Sequence, residues 1–128
     1  MEVQVLPSVS VIITTHNRPD YLKESLAAVL KQTVMPKEVF VIDDGSSVSY
    51  EEVLSLFPKD QFTYIKVPVA SGANAARNLG ISKSTSDIVA FLDDDDVWDN
   101  DYLEQHIAVH QHADAVTCGY RFLETPDK

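Results

Sequence analysis

Short and almost continuous apolar runs alternate with segments of helical spacing along this chain of 128 residues. Val9–Thr15 is rich in β-branched residues and has the pattern of a strand covered on both faces, as in a parallel sheet. Four further runs predict strands at residues 39–42, 62–67, 87–92 and 115–119. Because strands that alternate with helices form parallel sheets with right-handed crossovers, the predicted fold class is α/β. We expect an open, mostly parallel twisted sheet with helices on both faces.

Helices are predicted between these strands, at residues 19–32, 50–57, 71–83 and 100–112. Pro19 occupies a first-turn position, with Asn17 or Arg18 at the cap. The third helix has a narrow face suited to close packing on a sheet, formed by Ala73, Ala76, Leu79 and Gly80. On another side of it, Asn74, Arg77 and Asn78 recur at helical spacing and point the same way.

The length predicts one domain over residues 1–128, because chains of this size rarely hold two cores. No apolar run approaches the roughly 18 residues of a membrane helix, and the first residues lack the pattern of a secretory signal. The single cysteine, Cys118, fits a reducing compartment and is interpreted as a small buried hydrophobe. We therefore expect a cytoplasmic chain.

The net charge of -10 argues against nucleic acid as a partner, because binding to its phosphates needs a basic face. The acidic residues are also concentrated, since six of the twenty lie within nine positions: Asp93, Asp94, Asp95, Asp96, Asp99 and Asp101. For the last two we favour a helix-capping role. The clustering of the others requires a separate explanation.

Polar residues follow three of the predicted strands, where ligands bind in open parallel sheets. They are Thr14, Thr15, His16 and Asn17 after the first strand, Asp43 and Asp44 after the second, and Asp93, Asp94, Asp95 and Asp96 after the fourth. Because parallel strands end at the same edge, we expect these three segments to meet there.

Four consecutive aspartates repel one another unless a cation or hydrogen-bond donors offset their charge. In an extended segment Asp93 and Asp95 face one side, whereas Asp94 and Asp96 face the other. Such an arrangement suits Mg²⁺ or Mn²⁺, which accept one or two carboxylates and complete their shell with water and phosphate oxygens. A diphosphate ligand is implied.

Several of these residues also have ordinary structural explanations. Asp43 and Asp44 precede Gly-Ser in a common turn, although a carboxylate there can also accept a hydrogen bond from a nucleobase. His16 either shapes its loop or contacts a ligand, and Arg77 is either a solvated helix residue or a ligand contact. Three further histidines, His106, His110 and His112, are interpreted as surface residues.

Four segments of the chain resemble the nucleotide-binding half of family 2 glycosyltransferases, which have the GT-A fold. They are VSVIITTHNR at residues 9–18, VIDDGS at 41–46, GANAARNLGI at 72–81 and FLDDDDVW at 91–98. The resemblance implies metal-dependent, inverting transfer of a sugar from a nucleoside diphosphate sugar to an acceptor hydroxyl. Cell-surface polysaccharide synthesis is a common role of the family.

The resemblance also implies residue roles. Thr14, Thr15 and His16 would line the nucleoside pocket, with Asp44 holding the base, Asp43 beside it and UDP favoured as the nucleotide. Arg77 would approach the base or phosphates. Asp93 and Asp94 would contact ribose or donor sugar, and Asp95, with Asp93, would ligate Mg²⁺ or Mn²⁺.

Family members usually continue with residues that supply the acceptor pocket and the catalytic base. We expect that base beyond Lys128, so that the chain is a truncated donor-binding domain that transfers poorly and exposes apolar surface for self-association. The acceptor is an unknown sugar or lipid-linked molecule, and the longer protein is expected at the inner face of the membrane. The alternatives are a non-catalytic magnesium- or nucleotide-binding module, a receiver-like domain and a nucleotidyltransferase.

Overall fold

The computed structural model describes residues 6–110, which form a four-stranded parallel sheet with helices. The strands are β1 (Val9–Thr15), β2 (Glu38–Asp44), β3 (Thr63–Val67) and β4 (Ile88–Asp93). The helices are α1 (Pro19–Val29), α2 (Glu51–Leu54), α3 (Ala73–Lys83) and α4 (Tyr102–His110), and a 3₁₀ turn (Lys59–Gln61) precedes β3.

The predicted order of strands and helices is confirmed through α4, and β1 has its predicted bounds. Elsewhere the ends differ: α1 stops before residue 32, and α2 is a single turn within the predicted 50–57 segment. Pro19 begins α1 after the cap residue Arg18, as predicted. The fifth predicted strand, at residues 115–119, and Cys118 lie outside the described residues.

Alternate residues of β1 face two apolar clusters on opposite sides of the sheet. Val11 and Ile13 belong to the larger cluster, which is covered by α1 and α4, whereas Ile12 belongs to the smaller cluster under α3. Every residue of β1 is buried. The prediction of a strand covered on both faces, with helices on each side of the sheet, is confirmed.

Close packing of α3 on the sheet depends on Gly80. A Cβ atom at this position would lie 2.7 Å from Cγ2 of Ile12, so that any side chain here would displace the helix or the strand. Ala76 is buried on the same face, as predicted. The prediction for Ala73 is wrong: this residue begins the helix and is exposed, so that the packed face starts at Ala76.

The strand order is β3-β2-β1-β4, so the chain builds outward from β1 to β3 and then returns to the other side of β1. The order therefore reverses between β1 and β4, where ligand sites of open α/β sheets form. Register pairs Thr14 of β1 with Asp93 of β4, and Thr15 with Asp43 of β2. We call this shared end of β1, β2 and β4 the carboxyl edge.

None of the helices within residues 6–110 has the length and hydropathy of a membrane-spanning segment.

His106, which was interpreted as a surface residue, is half-buried: its ring stacks on Tyr102 with centroids 4.0 Å apart, and its Nδ1 lies 2.9 Å from the Tyr102 carbonyl oxygen. The side chain of His110, and all of His112, lie outside the described residues.

Candidate functional site

Asp43 at the end of β2 serves the fold of its own turn. The side chain is fully buried. Its Oδ1 accepts a hydrogen bond from the Ser46 amide at 3.0 Å, and its Oδ2 accepts one from the Tyr64 hydroxyl. Burial, followed by the hydrogen bond to Asp43, raises the pKa of Tyr64, so that this phenol remains a donor. Asp43 has no exposed surface, and its place in the nucleotide pocket stays a prediction.

Asp44 holds the loop that precedes α3. Its two carboxylate oxygens accept hydrogen bonds from the amides of Ser71 and Gly72, at 2.8 and 2.9 Å. Gly72 is the cap residue of α3, so the carboxylate faces the positive end of that helix. The two loops approach so closely that a Cβ at Gly45, whose φ is 66°, would lie 2.3 Å from the Ala70 nitrogen.

His16 and Asn17 connect the end of β1 to the end of β2. The Nδ1 atom of His16 lies 2.7 Å from the carbonyl oxygen of Asp44. Asn17 has a φ of 54°, and its Oδ1 accepts a hydrogen bond from the Ser47 amide at 2.8 Å. His16 therefore shapes its loop, and because its ring is also exposed, this contact leaves room for a ligand beside it.

The four aspartates that begin with the last residue of β4 form a turn, which we call the acidic turn (residues 93–96). The amide of Asp96 donates to the carbonyl of Asp93 at 3.0 Å. One carboxylate oxygen each of Asp93, Asp95 and Asp96 lies within 4.8 Å of the others. Asp93 and Asp95 share a side, as the extended pattern predicted, but its placement of Asp96 on the opposite side is wrong because the turn reverses the chain.

This donor set fits a hard divalent cation. Oxygen ligands of an octahedral Mg²⁺ lie about 3 Å apart in adjacent positions and about 4 Å apart in opposite ones, given metal–oxygen distances of about 2.1 Å. The upper limit of 4.8 Å on the observed separations is close to this range. Burial, followed by the charges of Asp95, Asp93 and Asp94, raises the pKa of Asp96. A bound cation would remove this repulsion.

Asp94 points in the opposite direction, into the protein. Its side chain is 0% exposed, with Oδ1 2.5 Å from Nη2 of Arg18 and Oδ2 accepting the Thr15 hydroxyl at 2.8 Å. Burial raises its pKa, while Thr15 and Arg18 act in the opposite direction. The contact of Asp94 with ribose or donor sugar stays a prediction, and the inward position does not favour it, because the side chain has no exposed surface. Thr15, whose hydroxyl donates the second of these bonds, is buried as well.

Arg77 connects α3 to the acidic turn. Its Nη2 donates to Oδ1 of Asp93 at 2.9 Å, and its Nη1 donates to Oδ1 of Asn74 at 3.0 Å. Asn74 and Arg77 therefore share a face, as predicted. The interpretation of Arg77 as a merely solvated helix residue is wrong, since it brings a cation to the switch point. Thr14 lies there as well, 3.4 Å from Asp93.

An open cavity of about 400 Å³ lies beside β3 and α2. Val48, Tyr50, Leu54, Tyr64 and Lys66 are among its lining residues. None of the candidate site residues predicted from sequence lines it. Because no residue of the acidic turn is part of its lining, we place the candidate site at the carboxyl edge rather than in this cavity.

Two members of the site were missed from sequence. Arg18 was considered only as a helix cap, and Asp96 only as a residue facing away from Asp93. An arginine in the loop after the first strand and four aspartates at the end of another strand carry complementary charges, and this possible ion pair was the sequence signal for Arg18. The position of Asp96 could not be predicted without knowing the turn, which brings its carboxylate to the side of Asp93.

A parallel α/β sheet with acidic and basic groups converging at its switch point belongs to the open α/β class of folds, in which ligands bind at that point. The family model of Glycosyl transferase family 2 matches residues 10–127. The chain belongs to this family, and the expected GT-A fold is confirmed by its structural neighbours.

Among its relatives is an uncharacterised glycosyltransferase of Nostoc sp., 34% identical over 84% of this chain and 34% of the relative. The putative teichuronic acid biosynthesis glycosyltransferase TuaG of Bacillus subtilis is 33% identical over 79% of this chain and 41% of that protein. A crystal structure of S. aureus TarS in complex with UDP-GlcNAc superimposes with a TM-score of 0.73 and 26% identity, over 82% of this chain and 31% of that one.

This chain spans about a third of the length of the Nostoc relative and a smaller share, 14%, of a Rickettsia bellii one. Most of the length of these two relatives therefore lies outside the segment that matches this chain.

Proposed function

We propose that this chain is the donor-binding domain of a glycosyltransferase and binds a nucleoside diphosphate sugar together with Mg²⁺ or Mn²⁺ at the carboxyl edge. The observation that carries the proposal is the convergence of Asp93, Asp95 and Asp96 beside the cation Arg77. TarS, which has a similar fold, has been crystallised with UDP and with UDP-GlcNAc. A UDP-sugar is accordingly our favoured donor.

In this proposal Asp95 and Asp93 ligate the metal, and Asp96 is a third candidate ligand. Thr14 and His16 line the nucleoside pocket, next to the loop that Asp44 holds. Asp44 retains lone pairs for a base N–H, since a carboxylate accepts up to about four hydrogen bonds and the structure uses two. Asp94 and Thr15 do not contact the donor in this proposal, and their buried hydrogen bond holds the acidic turn in place.

Charge supports the need for a metal. The chain carries a net charge of -10, which repels a diphosphate. A divalent cation on the acidic turn neutralises part of that charge, and Arg77, 2.9 Å from Asp93, adds a second positive group. Arg77 would then approach the phosphates when the metal takes over its carboxylate partner.

When bound, the metal would act as a Lewis acid for the departing nucleotide. We propose inverting transfer to an acceptor hydroxyl of a sugar or a lipid-linked molecule in cell-surface polysaccharide synthesis. The names of TuaG and the fold likeness to TarS support this setting. A cytoplasmic location, with the longer protein at the inner face of the membrane, accompanies it. We assign no catalytic base among the described residues.

Calorimetric titration of the 128-residue chain with UDP, with and without Mn²⁺, tests the binding proposal. We expect Mn²⁺-dependent binding that is at least about tenfold weaker in Asp95→Asn. The matched control is Asp60→Asn, which removes the same charge from an exposed turn before β3, away from the carboxyl edge. Binding of UDP that is indifferent to Mn²⁺, or equal loss in both variants, would contradict the proposal.

A transfer assay separates the donor-binding domain from a complete enzyme and from a non-catalytic module. We expect this chain to bind UDP-sugar and to turn it over far below the roughly 1 s⁻¹ at which enzymes commonly begin. A longer protein containing it should transfer sugar. If the longer protein also binds donor without transfer, the non-catalytic alternative is correct.

A further inference from the structure

Four residues at the carboxyl edge form a closed hydrogen-bonded ring. The Arg18 amide donates to the Tyr50 hydroxyl at 3.0 Å, and the Tyr50 and Thr15 hydroxyls lie 2.6 Å apart. Thr15 donates to Oδ2 of Asp94 at 2.8 Å, and the Arg18 guanidinium closes the ring at Oδ1 of Asp94. The ring joins the end of β1, the start of α2 and the acidic turn.

The proton positions in this ring follow from its members. An ionised Asp94 only accepts, so Thr15 must spend its single proton on that carboxylate. Thr15 must then accept from Tyr50, whose oxygen accepts in turn from the Arg18 amide. One arrangement therefore satisfies every donor and acceptor. This arrangement is that of an ionised Asp94, whose side chain is completely buried and whose neighbours in the chain are also aspartates.

Arg18 supplies the charge that makes this arrangement possible. A buried carboxylate without a cationic partner is costly, and here Arg18 is that partner at 2.5 Å. Its second nitrogen, Nη1, lies 3.7 Å from Oδ2 of Asp95. With Asp94 held inward, its chain neighbours Asp93 and Asp95 project outward together with Asp96.

We infer that Arg18 is a positioning residue for the metal site: by holding Asp94 inside the protein, it sets the geometry in which Asp93, Asp95 and Asp96 present their oxygens to a divalent cation. The inference rests on the proposed function, because it concerns the metal of that same site. In this inference Arg18 acts through Asp94 rather than through contact with metal or substrate.

Positioning and simple electrostatics predict opposite results when the charge of Arg18 is removed. If Arg18 only weakens the negative potential of the acidic turn, its loss makes the turn bind cations more tightly. If Arg18 holds the turn in place, its loss makes binding weaker. The sign of the change in Mn²⁺ affinity therefore distinguishes the two.

The test is titration of the 128-residue chain with Mn²⁺ alone, followed by the electron paramagnetic resonance signal of free Mn²⁺. We expect Arg18→Met to bind Mn²⁺ roughly tenfold more weakly than wild type, as is common when a residue that orients a ligand is lost. Arg18→Lys retains the charge and should recover part of the affinity. Lys23→Met, which removes an exposed charge from α1, should change it less than about twofold.

A second pair of variants asks whether Arg18 acts through Asp94. In an Asp94→Asn background no buried charge remains to be held, so Arg18→Met should weaken Mn²⁺ binding by less than about twofold. Circular dichroism and urea unfolding of each variant identify the folded fraction. Affinity is then compared for folded protein only, and Arg18→Lys serves if Arg18→Met does not fold.

Unchanged or tighter Mn²⁺ binding by folded Arg18→Met would overturn the inference, as would an equal effect in the Asp94→Asn background. These results would leave the proposed function standing. If wild type binds no Mn²⁺, either alone or with UDP, the proposed function fails and the inference fails with it.

Discussion

The two acidic segments of the carboxyl edge use the same residue type for different purposes. At the end of β2, Asp43 and Asp44 are 0% and 8% exposed, and all four carboxylate oxygens accept hydrogen bonds from the protein. At the end of β4, Asp93 and Asp95 keep side chains 48% and 51% exposed. An aspartate at the end of a strand is therefore buried in hydrogen bonds of the fold or left exposed according to the donors that surround it, and not according to its position.

The largest expected effect is on stability at the end of β2. Asp43→Ala leaves the half-buried Tyr64 hydroxyl and the Ser46 amide without their acceptor, which should lower the free energy of unfolding by about 3 kcal/mol. Urea unfolding measures it. Asp96→Ala, its counterpart in the acidic turn, should change this free energy by less than about 0.5 kcal/mol. Equal losses would remove the distinction between the segments.

A bound metal ion should stabilise the folded chain through the acidic turn, and not through the aspartates at the end of β2. Mn²⁺ at one hundred times its dissociation constant should stabilise the folded chain by about 2.7 kcal/mol. Thermal unfolding with and without Mn²⁺ should show this stabilisation in wild type and in Asp44→Asn, but not in Asp93→Asn. Stabilisation that persists in Asp93→Asn would place the ion elsewhere.

A smaller effect is expected where Asp44 holds the loop before α3. Asp44→Asn keeps one acceptor oxygen and loses the other, at a cost of about 1.5 kcal/mol. Hydrogen exchange should become faster at the amides of Ser71 and Gly72, which donate to this carboxylate. Unchanged protection of both amides would show that the loop is held by other contacts.

The smallest expected effect is the pH dependence contributed by Asp96. Its pKa is raised in the folded protein, so the folded state takes up this proton more readily than the unfolded state does. Relative to Asp96→Asn, wild type should therefore gain stability as the pH falls through the raised pKa towards the ordinary value of 3.8. Urea unfolding at several pH values, without metal, measures this. A relative loss on acidification would reverse the sign of the shift.

Prediction from sequence worked best where a pattern is local. The apolar run of β1 and the position of Pro19 specified a strand and a helix start without reference to other parts of the chain. The meeting of the three polar segments was also predictable, since parallel strands end at one edge. Asp96 was misplaced because the extended alternation stops at Asp93, where a backbone hydrogen bond closes a turn.

The sequence by itself determined the alternation of strands and helices, the side of the sheet on which the polar residues gather and the excess of acid there. Only the tertiary structure decided which aspartates remain available to a ligand. That choice depends on donors distant in the chain, as when Arg18 and Thr15 take up Asp94 from 76 and 79 residues away. Burial and partnership arise from packing between segments, which no local pattern records.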